Sequence, residues 1–268
     1  KILVTIGLMP IWLILIYMKY SVKAEMNFTS LKGKTILLTG SNRGIGLSIF
    51  KTLVNKNVKI IAITRRKDSR FDEFENVINI TSDLSKESDL IYSLNKSKIK
   101  PNDIDYSILC AGIKISNSSG LHKDLVDTMQ VNFFANAEYC NWIKDSDSHT
   151  IVISSIGRYH GMHNSNGYNS SKSALSIFIE SLMLNQKKQN KSATFGLIEP
   201  GIVFTEMTKD NWINKFFGVS QNYAVNVILK SLVKKNKGKA FPLFFKLLTY
   251  LISSLNLPLR LKILNYLK

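Results

Sequence analysis

From Leu31 onward, short apolar runs alternate with longer amphipathic stretches, and no other feature of the chain constrains its fold as strongly. The runs are Thr35–Thr39, Val58–Thr64, Val77–Ile80, Tyr106–Cys110, Ile151–Ser154 and Thr194–Ile198, with Lys239–Phe241 as a short final candidate. Each is strand-length and almost continuously apolar, the pattern of parallel strands buried on both faces. Between them, Ile45–Lys56, Ser85–Asn95, Lys123–Ile143, Asn169–Gln189 and Asn222–Lys234 read as helices. The repeated β–α–β order predicts an α/β fold, a doubly wound parallel sheet of about seven strands with helices on both faces.

No repeat or low-complexity linker interrupts the alternation. The 268 residues therefore divide into an apolar N-terminal segment over 1–25, one α/β domain over 26–240 and a basic apolar helical tail over 241–268. With 45% hydrophobic and 21% charged residues, wholesale disorder is excluded. Two cysteines, Cys110 and Cys140, are too few for a disulfide framework or a four-thiolate zinc site, and neither HExxH nor CxxC occurs. No metal is expected, and a reducing, cytoplasmic setting is. Ile2–Met18 is apolar apart from Thr5, and its 17 residues are the lower limit for a spanning helix. It is either a membrane anchor or a translated extension, with Met26 as a natural start.

The net charge of +17 is carried mainly by lysine, with only six arginines. Nucleic-acid readers cluster arginine with aromatics, so no nucleic-acid partner is expected. The excess is uneven: the 58 residues after Asp210 hold nine Lys, one Arg and no acid. Such a stretch suits an anionic membrane surface.

Thr39-Gly40-Ser41-Asn42-Arg43-Gly44-Ile45-Gly46 lies where the first strand gives way to the first helix. Glycines there let the backbone turn tightly and approach a pyrophosphate, and a helix N-terminus offers N–H donors and the positive end of a dipole. Further on, Tyr168 and Lys172 stand at i and i+4, one turn apart on one helix face. A free tyrosine titrates near about 10, too high for efficient acid–base work near neutrality. An adjacent ammonium favours phenolate and lowers that value, as general acid–base catalysis requires.

These motifs, and others in the same order, resemble the short-chain dehydrogenase/reductase family, in its compact single-domain form, from about Leu31 to Lys239. Asp83-Leu84 resembles the adenine-binding aspartate and its neighbour. Cys110-Ala111-Gly112 resembles the end of the family's NNAG segment, and Asn132 its catalytic-helix asparagine. Tyr168-Asn169-Ser170-Ser171-Lys172 is similar to its YxxxK motif, and Pro200-Gly201-Ile202-Val203-Phe204-Thr205 to the PGxVxT segment flanking the nicotinamide. Ser155 lies 13 residues before Tyr168, the family's interval, which selects it over Ser154.

The resemblance implies a Rossmann-like fold and a division of labour in reduction. Ser155 hydrogen-bonds the substrate carbonyl. Tyr168 donates the proton, and Lys172 lowers the Tyr168 pKa and holds the nicotinamide ribose. Asn132 positions a water linking Lys172 to solvent, and the cofactor supplies hydride. Cofactor contacts are implied at Gly40, Ser41, Asn42, Arg43, Gly44, Ile45, Gly46, Thr64, Arg65, Asp83, Leu84, Cys110, Ala111, Gly112, Tyr168, Lys172, Pro200, Gly201, Val203 and Thr205. Two departures stand out. Leu109-Cys110 replaces the family's two asparagines, and Cys110 reads as structural. Only 19 residues separate Gly112 from Asn132, so the substrate-side loop is trimmed.

At the end of the second strand an acidic residue would bind the ribose hydroxyls of NAD(H). The chain reads Thr64-Arg65-Arg66 there, and Arg65 with Arg43 suits a 2′-phosphate. NADP(H) is therefore expected over NAD(H), in an oxidoreductase that reduces a carbonyl, or oxidises a secondary alcohol, of a lipophilic small molecule. The alternative is a catalytically silent NADP(H)-binding regulator on the same fold. It would be expected to lose Tyr168 or Lys172, and both persist. The GxxxGxG spacing and short tail stand against epimerases and dehydratases of the family's extended branch.

A lid over Thr205–Ser220 holds Met207, Trp212, Ile213, Phe216 and Phe217, which line a lipophilic pocket or pack as an amphipathic helix. Family members pair through the helices carrying Asn132 and Tyr168, which implies a homodimer or homotetramer. Leu175, Phe178, Ile179 and Leu182 run along the second of these, some facing the sheet. After Ala240, Pro258 divides the tail into two helical pieces, each too short to span a bilayer. They either lie in the interface of an anionic membrane or pack on the fold or a partner.

Overall fold

The computed structural model describes residues 28–115, 121–208 and 218–266. The apolar segment Ile2–Met18, Met26 and the lid residues Trp212, Ile213, Phe216 and Phe217 lie outside those residues, as does the side chain of Met207.

Seven strands form one parallel sheet: β1 Thr35–Thr39, β2 Lys59–Thr64, β3 Val77–Thr81, β4 Tyr106–Leu109, β5 His149–Ile153, β6 Thr194–Pro200 and β7 Gly238–Phe241. Their order is β3-β2-β1-β4-β5-β6-β7. Successive residues of a strand point to opposite faces, so neighbours serve different cores. Ile36 and Leu38 pack with Ile49, Phe50 and Leu53 of helix α1 (Gly44–Leu53) and with Ile228, Leu229 and Leu232 of a later helix (Gln221–Val233). Leu37 packs on the other side with Leu90 and Leu94 of α2 (Asp89–Lys96), Tyr139 and Ile143, and Leu175 and Ile179. The sheet is thus doubly wound, as the apolar runs predict.

The chain order reverses between β1 and β4, which pair with each other in parallel and leave a crevice at their carboxyl ends. Helices α3 (Leu121–Met129) and α4 (Ala135–Ile143) flank Asn132, and α5 (Asn166–Lys188) carries Tyr168 and Lys172. Gln221–Val233 is α6, and the tail forms α7 (Leu243–Ser254) and α8 (Leu257–Tyr266).

Three of the differences from the sequence reading have a plain local basis. Helix α2 begins at Asp89 rather than Ser85, because the Asp83 carboxylate accepts both the Ser85 N–H at 3.1 Å and its hydroxyl at 2.8 Å, a local turn that competes with helix. The helix expected over Lys123–Ile143 is interrupted by one π turn, Gln130–Phe134. In the tail, Pro258 sits in the first turn of α8 rather than at the break. Asn256 precedes it and accepts the Leu259 N–H at 3.1 Å, so asparagine and proline together start a helix.

Candidate active site

The crevice deepens into a cavity of about 770 Å³, a size that accommodates a cofactor and a small substrate. Of the residues expected to bind or catalyse, all but Ser41 and Asn132 line it. Gly40 has φ +67°, and a Cβ there would lie 2.9 Å from the Ala111 Cα. A Cβ on Gly46 would lie 2.1 Å from the Gly40 carbonyl oxygen. Neither position admits a side chain, because the loop backbone is folded against both β4's continuation and the first turn of α1. Arg43 precedes that turn in extended conformation and makes no side-chain cap, so the N–H groups at the start of α1 keep the positive dipole end open beside Gly44, Ile45 and Gly46. Ser41 is different: it is fully buried, and its hydroxyl donates to the Ile63 carbonyl at 3.4 Å, so its side chain ties the loop to β2 instead of facing the cavity.

Arg43 and Arg65 are exposed at the cavity rim and take part in no ion pair among the described residues. Thr64, at the position where an acid would sit, is buried and donates to the Arg66 carbonyl at 2.8 Å. Asp83 and Leu84 line the same wall.

The catalytic candidates meet on the other strand ends. Ser154 turns away: its hydroxyl is 2.6 Å from Ser176 Oγ on α5. Ser155 Oγ accepts the Gly157 N–H at 3.0 Å and shares a hydrogen bond with the Tyr168 phenol. Burial pushes that phenol above the ordinary tyrosine range, while the Ser155 bond pulls it down. Lys172 is buried and donates from Nζ to the Ile153 carbonyl at 2.8 Å, 5.9 Å from the centre of the Tyr168 ring. Burial lowers its pKa to about 8. In this arrangement the Lys172 ammonium is hydrogen-bonded to backbone rather than to the Tyr168 phenol. Cys110 lies close enough to feel Lys172, but burial pushes its thiol up to about 12, which keeps it neutral.

Asn132 sits in the π turn, one layer behind the cavity wall. Its amide accepts the Ile113 N–H at 2.8 Å and donates to the Ile113 carbonyl at 2.9 Å and Ser171 Oγ at 3.0 Å. It stays next to the machinery: a Cβ on Gly112 would lie 3.3 Å from its Oδ1 and 3.7 Å from Lys172 Nζ. In this arrangement Asn132 braces the wall, with its polar groups engaged by Ile113 and Ser171 rather than facing into the cavity.

Several contributors escaped the sequence reading. The Thr39 hydroxyl accepts the N–H groups of Cys110 and Ala111, each at 3.0 Å, and so sets the end of β4 against the glycine loop. Asn136 donates to the carbonyls of Asn132 at 2.9 Å and Val131 at 3.3 Å, satisfying groups that the π turn leaves over. The signal was the Asn132/Asn136 pair at i and i+4 in an apolar helix. Arg158 ion-pairs with Glu180 at 2.8 Å and with buried Glu199, which also accepts from Tyr159 at 3.2 Å and Lys246 at 3.0 Å. This cluster joins the segment after Ser155 to the end of β6 and to α7.

The family profile described as short chain dehydrogenase matches residues 34–215. The 3-oxoacyl-(acyl-carrier-protein) reductase of Buchnera aphidicola is 26% identical over 216 residues, covering 76% of this chain and 86% of its own. A short chain dehydrogenase from Burkholderia cenocepacia, solved in complex with NADP, superposes with a TM-score of 0.72 at 17% identity, over 87% of this chain and 98% of that one. A 4-hydroxyisoleucine dehydrogenase complexed with NADH gives 0.64 at 20% identity, over 78% and 96%. With a seven-stranded doubly wound sheet, a glycine loop at its switch point and a profile match over most of its length, the chain belongs to the short chain dehydrogenase family of oxidoreductases.

Proposed function

We propose that the protein is an NADP(H)-dependent reductase of a carbonyl on a lipophilic small molecule, with Ser155, Tyr168 and Lys172 as its catalytic residues. The observation that carries this reading is their convergence on one cavity with the glycine loop, the uncapped start of α1 and two exposed rim arginines in no ion pair among the described residues. The residues fit a nicotinamide dinucleotide: Gly40, Gly44 and Gly46 line the cavity at the open start of α1, where close backbone packing keeps the loop free of side chains at Gly40 and Gly46. The start of α1 would hold the pyrophosphate, Arg43 and Arg65 a 2′-phosphate, Asp83 the adenine side, and Lys172 the ribose. When bound, the nicotinamide supplies a hydride to the carbonyl carbon.

The chain's own groups do the rest. Ser155 donates a hydrogen bond to the carbonyl oxygen and steadies the charge developing there. Tyr168 passes its phenol proton to that oxygen, completing the alcohol. Its raised pKa keeps it protonated at neutral pH, the state a proton donor needs. Lys172, cationic below about 8, stabilises the phenolate left behind. Asn132 holds the Ile113 wall in register with Lys172. Ile113, Ile115, Val131 and Val203 give the cavity an apolar lining that favours a lipophilic substrate. Exposed Phe134, Ile177 and Leu184 on and beside α4 and α5 support pairing of copies through that side.

The test is a screen of purified protein for NADPH-absorbance loss across acyl, steroid, retinoid and sugar carbonyls. Turnover with a lipophilic carbonyl, faster with NADPH than NADH, is expected. Nucleotide binding without turnover on any carbonyl would overturn the reading in favour of a silent binding protein.

A further inference from the structure

Ten of the sixteen large hydrophobic side chains exposed among the described residues belong to the last two helices. Helix α7 is inverted relative to one that covers a core. Its inward side carries buried Ile252 and Lys246, whose ammonium is bound to Glu199 at 3.0 Å. Its outward side carries Leu243, Phe244, Leu247, Leu248 and Leu251, spaced i, i+1, i+4, i+5 and i+8, a single apolar stripe. Helix α8 has no buried residue, and Leu257, Leu259 and Leu261 stand exposed around Arg260 and Lys262. Contiguous apolar surface of this kind marks a contact face.

Charge decides what covers it. The 58 residues after Asp210 carry ten cations and no acid. Within α7 and α8 the charged side chains are Lys246, paired inward with Glu199, and Arg260 and Lys262, with no acid, so a second copy laid on the same face would set these cations against their own counterparts. An anionic bilayer satisfies both the stripe and the charge. We infer that α7 lies in the interface of an anionic membrane with its leucine stripe among the acyl chains, while α8, whose apolar residues share no single face, follows along the surface and brings Arg260 and Lys262 to the headgroups. They lie on the bilayer and do not cross it: they have 12 and 10 residues, and among the described residues no helix is long and apolar enough to span. On the protein side α7 is held by Glu199 and by Tyr250 packed edge-on to Tyr159 at 6.3 Å. The docked helix thereby adjoins the segment that follows Ser155. This inference stands independently of the proposed reaction.

The test mixes the full chain with vesicles of phosphatidylcholine alone or mixed with phosphatidylserine, followed by sedimentation. The chain should co-sediment with the anionic vesicles, and high salt should weaken this. Leu247→Glu with Leu251→Glu places charge at two already exposed positions, so its thermal melt and nucleotide binding should match the parent. Its vesicle affinity should fall by about tenfold or more. Three results would overturn the inference: the parent chain staying in the supernatant with both lipids, the double variant sedimenting as the parent does, or the double variant converting a dimer to a monomer without altering lipid binding.

Discussion

Burial favours the protonated Tyr168 phenol while its bond to Ser155 pulls the other way, and burial also shifts Lys172. With a folded-state pKa of about 8 against an ordinary 10.5, buried Lys172 binds its proton less tightly folded than unfolded. Its charge therefore opposes folding at neutral pH, and that cost fades as pH rises from about 8 toward the ordinary lysine value. Lys172→Met should accordingly melt higher than the parent at pH 7, by the equivalent of roughly 3 kcal/mol at most, with the gap closing at alkaline pH. A gap that does not vary with pH would mean that Lys172 is not a buried charge. Arg65 lies on the cavity rim. Arg65→Ala should weaken NADPH by about 1–3 kcal/mol while leaving NADH nearly unchanged, by titration; equal losses for both would remove Arg65 from the phosphate site. At this scale the sequence showed Ser155, Tyr168 and Lys172, because their intervals are local. Thr39 was invisible, since its partner Cys110 lies 71 positions away and nothing in a threonine at a strand end announces that contact.

Helices and strands were legible wherever periodicity alone decides them, and less so where side chains rewrite the backbone. The strand runs fell within two residues of their observed limits. Asp83 instead delays α2, and Asn256 with Pro258 starts α8, both through local hydrogen bonds that an apolar pattern does not encode. The π turn Gln130–Phe134 is the clearest case, because its apolar spacing is that of the helix around it. It carries Asn132 and depends on Asn136 to satisfy its carbonyls. Asn136→Leu keeps the shape but removes both donors. It should cost about 1–3 kcal/mol in urea unfolding and lower turnover by displacing Asn132. Unchanged stability and turnover would show that the turn needs no such support.

The whole molecule places the reversal of strand order between β1 and β4, and the cavity follows from that topology. Fold class was readable because parallel strands buried on both faces leave so plain a record. Assembly was less so: Leu175 and Ile179, on the helix expected to pair copies, are fully buried against the sheet, leaving Ile177 and Leu184 outward. Sedimentation should still find a dimer or tetramer at micromolar concentration, and a monomer throughout would assign those side chains to solvent. The central claim is that Tyr168 supplies the proton in a cavity built to hold NADPH. Its most direct test is Tyr168→Phe, with carbonyl-dependent NADPH turnover and NADPH binding measured side by side. Turnover should fall by about 10²-fold or more while the NADPH dissociation constant stays within about threefold of the parent. Near-normal turnover in that variant would contradict the assignment.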